Sequence, residues 1–266
     1  MRRSLLALGL LLAAMPAFAK MQAKPIEWSV GNERFSGYLV YDDEDDDKRP
    51  GLVMVPNWMG VTDAAVERAK VLAEDDYVIL VADVYGKGIR PKDSNEAGKL
   101  AGGLRGEDRG PLRARMRAAL ETLKAQTGST PLDVSRIGAF GFCFGGSAVL
   151  ELARSGADVA GVVSLHGGLA PGAKSAMAAS VPASVMVLNG ADDKSVSDAD
   201  IVAFEQEMNA AKADWQFVDF SGAVHCFAEP SAGNDPASNC RYDALAAKRA
   251  YRMMGDFFEE RFDAKR

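Results

Sequence analysis

Short, unbroken apolar runs alternate with helix-periodic stretches along nearly the whole chain, and that alternation admits few architectures. Residues 51–55, 77–82, 136–140, 159–165, 183–188 and 215–220 read as short strands, and most are apolar at consecutive positions. A strand buried on both faces needs no polar side, so such runs fit a parallel sheet covered by helices above and below. The intervening segments 64–74, 111–127, 145–154, 198–211 and 242–262 carry apolar residues at helical spacing, as in Leu112, Met116, Leu120 and Leu123. Asp63 is the expected cap of the first helix. Ahead of this pattern, 26–30 and 35–41 flank Gly31-Asn32 and read as an antiparallel hairpin. The expectation is one α/β domain: a mostly parallel central sheet with helices on both faces and an antiparallel hairpin at its amino end.

The first residues are read apart from that domain. Arg2 and Arg3 precede an apolar stretch from Leu5 to Ala14, and Ala17-Phe18-Ala19 precedes Lys20, the layout of a cleavable secretory leader. The apolar run is about half the length a bilayer-spanning helix requires. Residues 1–19 are therefore expected to be a signal peptide and 20–266 a single domain, periplasmic or secreted and without membrane attachment in mature form. The chain's net charge is −6, and loss of Arg2 and Arg3 takes it to about −8, which disfavours nucleic acid and anionic membranes as partners. The acidic stretch 42–47 is read as a solvated hairpin loop between two strands. Residues 92–109 are polar and glycine-punctuated, so 86–110 is read as a loop, either a partial lid or a solvated insertion.

The chemistry concentrates at Gly141-Phe142-Cys143-Phe144-Gly145, between an expected strand and an expected helix. This resembles the nucleophile elbow of the α/β-hydrolases, with cysteine where serine is more usual. A sharp strand-to-helix turn crowds the positions two residues either side of the nucleophile, which calls for glycine there. The turn also sets Cys143 at a helix amino terminus, where the dipole and free N–H groups stabilise negative charge on sulfur. A base must then hold the thiol proton and return it to the leaving group. Only His166 and His225 are available. In this fold acid and base follow the nucleophile in the chain, which selects His225; His166, before every good acid, is read as a hydrogen-bonding turn residue near the site. Asp192 and Asp193 both follow an expected strand, and the spacing Gly190-x-x-Asp193-x-x-Val196 favours Asp193 as the orienter of His225. The oxyanion of a tetrahedral intermediate needs backbone donors, expected from Phe144 and from Trp58 in the loop after 51–55. With two histidines and no clustered Cys/His ligands, no metal site is expected, and no cofactor.

Taken together, Gly141 to Gly146, Gly190-Ala-Asp-Asp193, Val224-His225-Cys-Phe227 and Ala82-Asp83-Val-Tyr85-Gly86 resemble the dienelactone hydrolase family over nearly the whole mature chain. The resemblance implies a cofactor-free α/β-hydrolase that cleaves enol-lactones or related small esters through an acyl-thioenzyme. It also implies substrate contacts at Asn57 and Lys87. Asn57 stands where well-known members carry a glutamate, and Lys87 and Glu229 stand where they carry two carboxylate-binding arginines. Arg90 or Arg109 could restore a cation, or be ordinary surface charges. These departures motivate an alternative, a secreted binding protein of the same fold with weak or no catalytic activity. The remaining cysteines, Cys226 and Cys240, leave three states open: a disulfide closing a loop of about 15 residues and contributing about 3 kcal/mol, two free thiols, or Cys226 pairing with Cys143.

Overall fold

The computed structural model describes residues 21–44, 47–74, 76–174 and 180–263; the expected leader lies outside them. Among the described residues eight strands form a single sheet: β1 (Met21–Val30), β2 (Glu33–Asp42), β3 (Arg49–Val55), β4 (Val78–Val81), β5 (Leu132–Phe142), β6 (Gly161–Leu165), β7 (Ser184–Gly190) and β8 (Trp215–Phe220). Their spatial order is β1-β2-β4-β3-β5-β6-β7-β8. β1 pairs antiparallel with β2 and β2 antiparallel with β4, and the other neighbours run parallel.

The α-helices of the described residues are α1 (Asp63–Ala73), α2 (Ser94–Leu104), α3 (Gly110–Lys124), α4 (Phe144–Arg154), α5 (Asp198–Ala210) and α6 (Ala244–Asp263). Burial explains why the central strands are apolar throughout. Val53 and Val55 of β3 enter one core with α3, α4 and Phe204 of α5, while Leu52 and Met54 enter the other with α1 and α6. Successive side chains on a strand point to opposite faces, and here both faces are covered.

Three local expectations are corrected. The segment after β2 is not a hairpin loop, because β2 pairs with β4 and the chain crosses over to reach β3. Thr62, not Asp63, caps α1; its hydroxyl accepts from the Ala65 N–H at 3.2 Å, and Asp63 opens the helix. Residues 92–109 are not a simple loop, since they contain α2, capped by Asp93 accepting from the Asn95 and Glu96 N–H groups.

Candidate active site

The loops that follow β3, β5, β7 and β8 meet at the carboxyl edge of the parallel strands, where open α/β sheets gather their ligand sites. Cys143 sits between β5 and α4 with φ of +52°, a left-handed conformation that a residue with a side chain adopts only under constraint. The flanking glycines supply the room. A Cβ on Gly141 would lie 2.3 Å from the Gly145 backbone, and one on Gly145 would lie 2.0 Å from the Val55 carbonyl oxygen. Close approach at Gly145 brings the loop after β3 against the first turn of α4, so Trp58 and Phe144 share one region. The first N–H groups of α4, Phe144 included, have no carbonyl one turn back to donate to.

His225 follows β8 by one short turn and Asp193 lies in the loop after β7. The structure brings both to Cys143: His225 Nε2 lies 3.0 Å from Cys143 Sγ, and Nδ1 lies 2.7 Å from Asp193 Oδ2. Asp193 is buried and Asp192 exposed, which separates the two acid candidates. The second oxygen of Asp193 accepts from the Ser195 N–H at 2.8 Å and from Asn239 Nδ2 at 3.2 Å. Burial alone would raise the Asp193 carboxyl, but its hydrogen bond with His225 and those from Ser195 and Asn239 hold it below the usual range. For His225, burial disfavours the charged ring, yet the hydrogen bonds with Asp193 and Cys143 outweigh it and raise the pKa to about 10. The charged form of the ring is thus favoured, beside the sulfur and backed by a carboxylate.

These groups open into a cavity of ≈ 470 Å³ lined by Trp58, Arg105, Cys143, Ser195, His225 and Asn239, with Cys226 and Cys240 in its wall. A larger depression, ≈ 720 Å³, lies at the amino ends of β3 and β5 and contains neither histidine nor cysteine. Cys226 and Cys240 form a disulfide, and His225 and Cys240 form an isolated β-bridge. The cross-link therefore joins the residue after the base to the residue after Asn239.

Two expected substrate contacts do not reach this cavity. Lys87 is an exposed residue whose ammonium pairs with Glu27 at 2.6 Å, drawn to the strand β1 carboxylate instead of the site. Asn57 turns away to donate to Glu229, and the pair lines a separate cavity of ≈ 50 Å³. Burial pushes the Glu229 carboxyl upward, opposed by its hydrogen bond from Asn57. Neither alternative cation replaces Lys87: Arg109 is buried and bonded to the Ala170 carbonyl, and Arg90 is spent on backbone carbonyls and Asp83. The cation that does line the cavity is Arg105, at the end of α2 and 5.9 Å from the Phe144 ring centroid. It was hidden in sequence by the reading of α2 as a loop.

Tyr85, just beyond β4, is a site residue whose role the sequence motif does not reveal. Its ring stacks on Phe144 with centroids 5.6 Å apart, and its hydroxyl donates to the Trp58 carbonyl at 2.9 Å. One side chain thereby braces both expected oxyanion donors. Its signal in sequence was its place just beyond a parallel strand. Asn239 carried no signal, because its partner Asp193 is 46 residues away.

A family model described as the dienelactone hydrolase family matches residues 35–262. Among solved structures, one named m3DLH is 36% identical, covering 91% of this chain and 99% of its own, with a TM-score of 0.84. A dienelactone hydrolase-like promiscuous phosphotriesterase from metagenomic libraries is also 36% identical over 91% and 99%, with a TM-score of 0.82. An uncharacterised protein of Caenorhabditis elegans is 37% identical over 155 residues, 58% of this chain and 96% of that one.

Proposed function

This chain belongs to the dienelactone hydrolase family, and on that premise we propose that it hydrolyses small carboxylic esters or lactones through an acyl-enzyme on Cys143. The observation that carries the reading is the Sγ–Nε2–Nδ1–Oδ2 line, 3.0 Å and 2.7 Å at its two contacts. In the first half-reaction the Cys143 sulfur, its proton held by His225, attacks the carbonyl carbon. The carbonyl oxygen takes the negative charge and is met by the Phe144 and Trp58 N–H groups. Collapse of the tetrahedral species breaks the carbon–oxygen bond, and the imidazolium protonates the departing alkoxide. In the second half-reaction neutral His225 takes a proton from water as it adds to the thioester, and returns it to sulfur as the acid leaves. Asp193 keeps the ring oriented and stabilises its charged form.

The leader-like amino end and the Cys226–Cys240 disulfide support export to an oxidising compartment. The test of the chemistry is turnover of a p-nitrophenyl short-chain ester. Cys143→Ala and His225→Ala are each expected to abolish it, and wild-type-like activity in either variant rejects the mechanism. The likeness to a promiscuous phosphotriesterase adds a p-nitrophenyl phosphotriester to the substrate panel. Iodoacetamide labelling at neutral pH separates the enzyme from a binding protein of the same fold, since an activated Cys143 alkylates much faster than an ordinary thiol.

A further inference from the structure

His166 is fully buried, with φ of +42°, and its ring centroid lies 5.3 Å from that of His225. Its Nδ1 accepts a hydrogen bond from the Cys143 N–H at 3.1 Å, a hydrogen shared with the Leu165 carbonyl at 3.0 Å. A neutral imidazole that accepts at one nitrogen carries its proton on the other, so Nε2 is a donor. That Nε2 faces Glu229 Oε1 across 3.9 Å, and neither atom has a hydrogen-bond partner among the described residues. Closing the gap by about 1 Å, within reach of a carboxylate rotation, makes the bond. The other oxygen, Oε2, accepts from Asn57 Nδ2. The Asn57 amide is not free to flip, because its Oδ1 accepts from the Met59 N–H at 2.9 Å.

The side-chain hydrogens of Asn57 and His166 point towards one group. Met59 N–H and Asn57 lead to Glu229 from one side; Cys143 N–H and His166 lead to it from the other. An ionised carboxylate only accepts, so it can terminate both arms. The two arms start on the backbone beside Trp58 and beside Phe144, the two expected oxyanion donors. Glu229 itself sits four residues after His225, in a turn closed by its N–H to the Cys226 carbonyl at 2.9 Å. Arg68 lines the same small cavity with its guanidinium over the Tyr251 ring, and its charge favours the ionised form of Glu229.

We propose that Glu229 is a positioning residue of the oxyanion hole: as the shared acceptor of Asn57 and His166, it fixes the two backbone segments that present the Trp58 and Phe144 N–H groups. The assignment rests on the ester-hydrolase reading. It gives the Asn57–Glu229 departure from the family pattern a working purpose in place of a lost one.

The experiment compares Glu229→Gln with the swap Asn57→Asp/Glu229→Gln. A carboxamide at 229 must direct an N–H either at Asn57 or at His166, and both are donors. With p-nitrophenyl butyrate, the single variant is expected to lose about tenfold or more in kcat with KM changed by less than about threefold. Alkylation of Cys143 by iodoacetamide, which develops no oxyanion, is expected to stay within about twofold of wild type. In the swap, the carboxylate at 57 accepts from Met59 and from the amide at 229, whose oxygen faces His166, so most of the lost kcat is expected to return. Wild-type kcat in the single variant overturns the assignment, as does equal loss of esterolysis and alkylation, or a swap no better than the single change. A wild-type protein without ester turnover sinks the hydrolase reading and this assignment together, whereas an active wild type with an unaffected Glu229→Gln sinks the assignment alone.

Discussion

At the scale of single residues, the site is governed by where a proton rests. The charged form of His225 is favoured because Asp193 and Cys143 together outweigh the cost of burying its charge, raising the pKa to about 10. A raised histidine pKa contributes stability that is fully present below its ordinary value of 6.5 and is lost as pH rises through about 10. Thermal midpoints measured across that range are therefore expected to fall with rising pH, and His225→Gln is expected to flatten the decline. Ester turnover is expected to fall above about pH 10, where the ring no longer protonates the leaving group. Asp193→Asn removes the anion behind the ring, with a loss on the order of 100-fold or more in kcat/KM and an alkaline limb displaced to lower pH. A pH–rate profile of both proteins checks this, and superimposable limbs would count against the role given to Asp193.

At the scale of elements, glycine spacing and burial place the chemistry. Gly145 cannot carry a side chain because backbone oxygen, not a flexible side chain, stands 2.0 Å from its Cβ position. Gly145→Ala is expected to destabilise by about 1–3 kcal/mol and to displace the loop carrying Trp58, so denaturant midpoint and kcat both drop. A variant with unchanged midpoint and kcat would mean that loop has another seat. The same scale shows what sequence could and could not tell. The elbow was legible because turn sterics leave a local mark, Gly141 and Gly145 about Cys143. α2 was less so: Ala97, Leu100, Ala101 and Leu104 face the core at helical spacing, but only the two alanines are fully buried, and Gly98, Gly102 and Gly103 weaken the helical signal. With α2 unseen, Arg105 at its end went unseen too. Asp93→Ala removes the side-chain cap and is expected to cost about 1 kcal/mol, read from the denaturation midpoint.

At the scale of the whole molecule, distant segments are tied to one another at the site. The sheet class followed from apolar runs buried on both faces, but strand order did not, since β2 and β3 are neighbours in sequence and separated in space by β4. Lys87 is drawn from the site for a like reason: position in a loop after β4 says nothing of the Glu27 carboxylate that strand β1 brings alongside. The Cys226–Cys240 cross-link holds His225's segment to Asn239, which in turn holds Asp193. Replacing both cysteines by serine is expected to lower stability by about 3 kcal/mol and to reduce kcat without abolishing it. Reductant should reproduce both effects in the wild type and neither in the double variant. The central claim, an acyl group carried on sulfur, is tested most directly by acid-quenching the enzyme during turnover of p-nitrophenyl butyrate and weighing its peptides. A butyryl group on the peptide containing Cys143 is the predicted result; hydrolysis that proceeds with the acyl group on another residue would contradict it.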